Sequence, residues 1–582
     1  MDAGLVGRLL LYAAMATSVW GAVASLEGRL RRDRGLAASG RRSLYATTGL
    51  LVVAAAWLAA ALLRHDFSLA YVAQVTSRST RFPYSLAALW AGMAGSLLFW
   101  TLLTSLYASS AIAVQAPRRP ELVPVATAVL SAILGFFAVV LAFGANPFAS
   151  ASPVPLDGQG LNPLLQSPFM SIHPVMLYLG FTGFSVPFAF AVAALASGRL
   201  DSSWFTSTRR WTVLAWAFLS VGIILGAAWA YTELGWGGYW AWDPVENASL
   251  LPWLTGTAFL HSVMIQERRG MLKIWNVALI LATYALAVLG TFLTRSGLLS
   301  SVHTFSESPV GKFFLPFLAV LAVGSFALLG YRLERLRSSR HLDSALSRES
   351  MFLFNNLLFV AVAFTVLWGT LYPVVVEAIR GQQVSVGPPY FNAVVVPLGL
   401  ALLALMGIGP LVAWRRASPR GIRRAFALPM AAGASTIVGL FAAGVRSVGA
   451  SLAIGLCALV TVTIVGEFVK GARAHASVEG LGYLRGLGRT LTRNRRRYGG
   501  YIVHLGVVLI FLGLAGAAFV TTWSGSLARG ESFTVGSYTI RYVSTRTYAT
   551  PERMVVEAVM DVSRGGRHLA TLHPQRNFHV AQ

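Results

Sequence analysis

The sequence predicts an all-α polytopic membrane protein of about 14 transmembrane helices with a small outward-facing β domain at its C-terminal end. Three observations predict it. Of the 582 residues 55% are hydrophobic and only 12% charged, about half the charged share of a soluble domain. Fourteen apolar stretches are each long enough to cross a hydrocarbon core of about 30 Å at 1.5 Å per residue. After the last of them, apolar periodicity switches to alternation. The lone Cys457, in an apolar run, excludes a disulfide scaffold, and the hydrophobicity excludes a disordered chain.

The stretches are 4–26, 43–63, 84–115, 121–143, 173–197, 211–231, 249–267, 274–294, 313–331, 352–378, 393–413, 425–443, 447–469 and 499–523. Segment 1 follows Met1-Asp2-Ala3, without a basic n-region or small-residue cleavage site, so it reads as a retained helix. Segment 3 has an interrupted start. Loops after odd-numbered segments hold 32 of the 47 Lys and Arg, and loops after even-numbered segments 2 to 12 hold 7. The bias orients odd loops to the cytoplasm and both termini outward. The net charge of +25 is therefore mostly a topology signal, and a nucleic-acid partner is not expected.

Loop 4–5 (Gly144 to Ile172) and loop 6–7 (Thr232 to Ala248) face outward and contain no Lys or Arg. Long Gly- and Pro-rich connections of this kind are more often functional than idle. His173 opens segment 5, and His303 lies in loop 8–9; both fall at the outer surface, where a solvated side chain is the plainer reading. Between them runs Trp236-Gly237-Gly238-Tyr239-Trp240-Ala241-Trp242-Asp243-Pro244-Val245-Glu246-Asn247, and with Trp229 and Trp253 five of the 16 Trp fall within 25 residues. That density exceeds an aromatic belt. Gly237 and Gly238 let a flat ligand approach the backbone, and a short helix would put Trp236 and Trp240 on one face.

A second pair of histidines lies at membrane depth. His261 in segment 7 precedes Arg268 by seven residues, and His504 in segment 14 follows Arg497 by seven, which is about 10 Å of helix in each case. A single membrane histidine is equally read as bonded to a nearby carbonyl. Two at matched depth favour one shared ligand, and an iron macrocycle with two axial imidazoles fits if the two segments are neighbours. Beyond segment 14, Glu531 to Val543 and Met554 to Val562 alternate polar and apolar residues between glycines, the pattern of strands. The bundle thus takes residues 1–523 and the β domain 524–582.

These residues resemble the tryptophan-rich "WWD" region of haem-handling proteins in cytochrome c assembly, and most closely the CcmF family. Supporting blocks are Asp157-Gly-Gln-Gly-Leu-Asn-Pro-Leu-Leu-Gln166 with Met170 and His173-Pro174, and Thr294-Arg295-Ser296-Gly297 with Ser301-Val302-His303. Asn355-Asn356, Gly369-Thr-Leu-Tyr-Pro373, Ser385 to Asn392 and Arg497 to Gly506 are further family-like blocks. The resemblance spans residues from about 70 to 520.

The resemblance implies a haem lyase of the inner membrane that attaches haem vinyl groups to the two thiols of an apocytochrome CxxCH site. His261 and His504 would hold an embedded haem b for redox control. His173 and His303 would ligate the haem being delivered, lying on Trp236, Gly237, Gly238, Trp240, Trp242 and Asp243. Implied partners are a CcmE-like haem chaperone, apocytochrome c with a CcmH-like thiol-presenting subunit, quinol as electron source, and membrane lipid. One cysteine cannot form a dithiol relay, so both thiols come from the client. Propionates need a cation, and Arg295 at the outer end of segment 8 is the expected one, with Lys312 or Arg380 next; the plainer reading of Arg295 is an interfacial arginine snorkelling to water.

Two departures stand out. The family's Trp-Gly-x-His-Glu-Gly block reads Trp90-Ala91-Gly92-Met93-Ala94-Gly95 here, and the family's last helix after the β domain is absent before Gln582. Rival readings are a transporter of haem or another hydrophobe, disfavoured by the lack of a repeat or broken-helix pair, and a structural scaffold.

Overall fold

The computed structural model describes residues 3–233, 238–295, 310–338, 347–412, 419–480, 482–550 and 553–579. Among these, fourteen helical spans are long and apolar enough to cross a membrane, the number expected. The chain divides into two compact units, one of Met1–Leu402 with Val412–Ala417, the other of Leu403–Leu411 with Ser418–Gln582.

The first unit opens with α1 (Ala3–Leu30) and α2 (Arg34–Leu63), joined by a turn in which Asp33 caps α2 by accepting from Gly35 N and Leu36 N. A short helix α3 (Ala70–Val75) precedes α4 (Phe82–Ala91) and α5 (Met93–Gln115). The break expected early in segment 3 falls at Gly92, whose N–H donates to Tyr71 Oη at 3.1 Å while Tyr71 donates to Ala88 O at 2.7 Å. Next come α6 (Val123–Phe143), α7 (Pro168–Gly183), α8 (Ser185–Ser197) and α9 (Ser203–Glu233). α10 (Pro244–Arg269), α11 (Lys273–Arg295), α12 (Gly311–Leu336) and α13 (Arg348–Arg380) follow, and α14 (Pro388–Ile408) starts in this unit and runs past Leu402, where the first unit's main stretch ends. Leu11, Leu58, Trp100, Phe137, Phe184, Phe205 and Tyr284 are fully or almost fully buried in its core.

Close helix approach here depends on small residues, as in membrane bundles where lipid offers no hydrophobic drive. A Cβ on Gly180 would lie 2.6 Å from Leu219 Cβ, and one on Gly222 would lie 2.7 Å from Leu177 Cδ2. α7 and α9 therefore touch along their backbones.

Two expectations are corrected. His173 does not open a span after a loop: it sits in the second turn of α7, because Pro168 at the first helical position starts the helix five residues earlier. Residues 238–243 are not helical, so the short helix expected around Trp240 does not form over these residues. Pro244 disfavours helical geometry in the residue before it, and Asp243 is instead the N-cap of α10.

The second unit contains α15 (Pro419–Ala442), α16 (Val448–Glu479), α17 (Tyr483–Arg493) and α18 (Arg495–Gly516). α17 was not expected. Its alternating Arg and Leu form a strongly amphipathic helix that rests Gly486 and Thr490 against α16 and leaves Leu484 exposed. Tyr498, Tyr501 and Val508 of α18 pack with Cys457, Val460 and Ile464 of α16.

The alternation past segment 14 forms a five-stranded antiparallel sheet: β1 (Ser532–Val535), β2 (Tyr538–Ala549), β3 (Arg553–Arg564), β4 (Arg567–Leu572) and β5 (Gln575–His579). β3 pairs β2 on one edge and, on the other, β4 with its second half and β5 with its first. Gly565 and Gly566, both at positive φ, make the tight β3–β4 turn that other residues would strain.

Candidate functional site

The first unit carries two histidines at separate levels. His173 on α7 gives Nδ1–H to Gly222 O of α9 at 2.8 Å. Gly226, one turn further, lets the ring lie against the α9 backbone: a Cβ there would fall 2.5 Å from His173 Cε1. His261 on α10 gives Nδ1–H to Thr257 O at 2.8 Å, and its ring lies 6.0 Å and 6.1 Å from the centroids of Phe352 and Phe359 on α13. A carbonyl only accepts, so Nδ1 carries a hydrogen in both rings, and Nε2 is the nitrogen through which either imidazole could ligate a metal.

Between the two levels runs a tryptophan ladder. Trp216 of α9 and Trp253 of α10 stack with centroids 6.0 Å apart. Trp216 Nε1 donates to Thr257 Oγ1 at 2.8 Å, and Trp253 Nε1 donates to Ser220 Oγ at 2.8 Å. These antiparallel contacts set the register of α10 against α9 and place His261 level with Thr212. His173 is level with Gly222 and Gly226, so the two imidazoles are separated along the helices by roughly 18 Å at 1.5 Å per residue.

The tryptophan-rich loop is anchored at its helical end. Asp243 accepts from Val245 N at 2.8 Å, and Glu246 Oε2 accepts from Ala241 N at 2.7 Å, close to a capping box. Trp242 stacks on Phe391 of α14 at 4.7 Å and 13°, and its Nε1 donates to Asn392 Oδ1 at 2.9 Å. Trp240 meets Trp242 edge-on at 5.9 Å. Trp240, Trp242 and Gly238 are half-buried. Trp236, Gly237 and His303 lie outside the described residues.

Loop 4–5 is pinned to this end of the unit. Trp229 of α9 donates to Leu164 O at 3.1 Å, Asp157 Oδ1 accepts from Arg78 N at 2.9 Å, and Gln159 N donates to Ala73 O at 2.7 Å. The family-like blocks thus have physical duties. Asn356, with its amide turned to satisfy both ends, donates to Ala258 O and accepts from Trp275 Nε1 and Ser262 Oγ around the His261 turn. Gly369 leaves room for the rings of Tyr390 and Phe391.

Arg295 ends α11 and is only 7% exposed, which removes the snorkelling alternative. Its Nη2 donates to Ser96 Oγ at 3.1 Å, and the guanidinium lies 5.8 Å from the ring centroids of both Trp100 and Tyr178. Among the described residues no carboxylate pairs with it, and the buried Trp100 Nε1 has no acceptor. Tyr178 is five residues from His173 on α7, about 7.5 Å along the helix.

His504 stands on α18 of the second unit, half-buried and seven helical residues past Arg497, as His261 stands seven before Arg268 on α10. Arg497, Lys470 and Glu467 form an ion-pair cluster at that end, Lys470 Nζ lying 3.2 Å from Glu467 Oε1. Sequence reasoning missed the cradle of Gly222 and Gly226 and the partner residue Trp216. The first was legible as a small-xxx-small pair in an apolar run; Trp216 carries no local signal.

Fold and site define a polytopic cytochrome c assembly protein: residues 90–300 match the family model described as Cytochrome C assembly protein. The chain is 38% identical to the cytochrome c-type biogenesis protein CcmF of Pseudomonas aeruginosa over 99% of its own length and 87% of that protein. Against CcmF of Escherichia coli it is 43% identical over 72% of its length and 65% of that protein. The solved structure described as cytochrome c haem lyase CcmF superposes with a TM-score of 0.80 at 36% identity, over 100% of this chain and 87% of that one. The chain belongs to the CcmF family of cytochrome c-type biogenesis proteins.

Proposed function

We propose that this protein is the haem lyase subunit of cytochrome c maturation in the inner membrane, with both described ends of the chain on the extracytoplasmic side. The observation that carries the reading is the likeness over the whole chain to CcmF and to a solved cytochrome c haem lyase. It is supported by His173 and His261, each of which gives Nδ1–H to a main-chain carbonyl at 2.8 Å and so turns Nε2 outward for a ligand. Axial histidines are oriented in this way by the hydrogen bond of the other ring nitrogen.

In this reading His173 and His303 grip the delivered haem, and the loop of Trp236, Gly237, Gly238, Trp240, Trp242 and Asp243 forms the platform beneath it. The corner where the Arg295 guanidinium and Trp100 Nε1 offer donors takes a propionate. Each client thiol of CxxCH then adds across a vinyl group: sulfur bonds one carbon, hydrogen goes to the other, and nothing is released. The chain's part is orientation and exclusion of water from the bond-forming pair. His261 and His504 are the pair that would hold a haem b, a group that supplies one-electron redox poise when bound, with quinol as its electron source. The partners are a haem chaperone and apocytochrome c with its thiol-presenting subunit. A bundle over 1–523 and an extracytoplasmic β domain over 524–582 are the working domain division.

The test is a pyridine haemochrome assay on the purified full chain. The expected result is co-purifying b-type haem that His261→Ala and His504→Ala each abolish, while both variants still take up haem at the outer pair. Absence of haem, or a spectrum unchanged by both substitutions, refutes the two-level scheme and returns the transporter and scaffold readings.

A further inference from the structure

At the arginine-rich end of the first unit, the last turn of α5 and the first turns of α9 leave a cavity of about 760 Å3 between them. Its floor is polar and its mouth cationic: Arg118, Arg119 and Arg210 line it with Gln115 and Ser207. Arg119 Nε donates to Ser207 Oγ at 3.2 Å, which leaves its two terminal nitrogens for a ligand. The neighbouring Arg209 is already paired with Glu267. Arg118 and Arg210 have no carboxylate within ion-pair distance among the described residues, and Asp201, the acid on the side of Arg119, is bound to Ser203 N at 2.7 Å.

The outer wall is apolar and turned to the lipid. Val114 and Leu214 are each 41% exposed, beside the ring of Trp211. A cationic mouth above an apolar wall at a helix end is the arrangement that holds an anionic lipid headgroup with its acyl chain alongside. Behind these residues Gln115 is 4% exposed and donates from Nε2 to Ser207 O at 2.9 Å, which ties the last turn of α5 to α9 at the site.

We propose that this cavity is a binding site for an anionic glycerophospholipid such as phosphatidylglycerol. The phosphate sits among the guanidinium groups of Arg118, Arg119 and Arg210, and an acyl chain lies on Val114, Trp211 and Leu214. Trp211 and Leu214 lie near the height of His261 along α9, but none of the site's residues is among those assigned to haem, so the site does not rest on the haem reading.

Native mass spectrometry of the full chain tests it, after transfer to nanodiscs of phosphatidylcholine with increasing mole fractions of phosphatidylglycerol. The expected result is one phosphatidylglycerol retained per chain. Arg118→Gln with Arg210→Gln weakens retention by roughly 30-fold, at about 1 kcal/mol per interfacial charge and 1.4 kcal/mol per tenfold. Arg32→Gln with Arg34→Gln, exposed charges elsewhere, leaves it unchanged. Equal loss in both double variants means diffuse attraction to the membrane and overturns the site. Displacement by inorganic phosphate alone overturns the lipid assignment in favour of a free-phosphate site.

Discussion

His173 is held by contacts that tolerate no added atom. Its Nδ1 reaches Gly222 O, and Gly226 presents bare backbone to the ring. Gly226→Ala must push the imidazole off α9, at the usual overpacking cost of about 1–3 kcal/mol. Haem affinity at the outer level should fall by roughly tenfold or more on that scale, while the absorbance of haem held by His261 is unchanged; equal loss at both levels would mean a global packing defect instead. Arg295 makes a second residue-scale case. A buried guanidinium with Ser96 Oγ as its hydrogen-bond partner and two aromatic faces beside it among the described residues is incompletely compensated, and a propionate would complete it. Arg295→Gln should therefore lower outer-haem occupancy in a direct titration with haemin, and full occupancy would discard the assignment.

Among the elements, the start of α10 does the most to position the loop. Asp243 and Glu246 close its first turn, and Trp242 is clamped between Phe391 and Asn392. Asp243→Ala removes an N-cap worth about 1 kcal/mol. Amide hydrogen exchange should show faster opening of 241–247 with the rest of α10 protected. The β sheet carries a different signal. Donation by Gln575 first, then His573, holds the Glu557 carboxyl below its usual range, and Thr571 does the same for Asp561. Carboxyls depressed in the folded state stabilise it fully above their ordinary values near pH 4. That stability is lost as pH falls through the depressed values. Protection of β3 amides in the full chain should hold down to about pH 4 and decline below it, and Glu557→Gln should blunt the decline.

For the whole molecule the testable quantity is orientation. Cys457 is buried and is the only cysteine, so single exposed cysteines can be placed on a Cys457→Ala background. An impermeant maleimide added to spheroplasts should label Ser537→Cys in the β1–β2 turn and spare Arg485→Cys on α17. The reverse pattern would invert the topology drawn from the arginine distribution.

Number of spans, their order, the break in segment 3 and the β character of the C-terminal region were legible in the sequence. Each follows from local composition, because lipid forces every span to be long, apolar and internally hydrogen-bonded. The separation of His173 from His261 along the helices was legible too, since depth along a helix is counted in residues. The tautomer of His173 and His261, the Trp216–Trp253 ladder and the burial of Arg295 were not. Each depends on which face of one helix meets which face of another, and that is set by side-chain packing between segments distant in the chain.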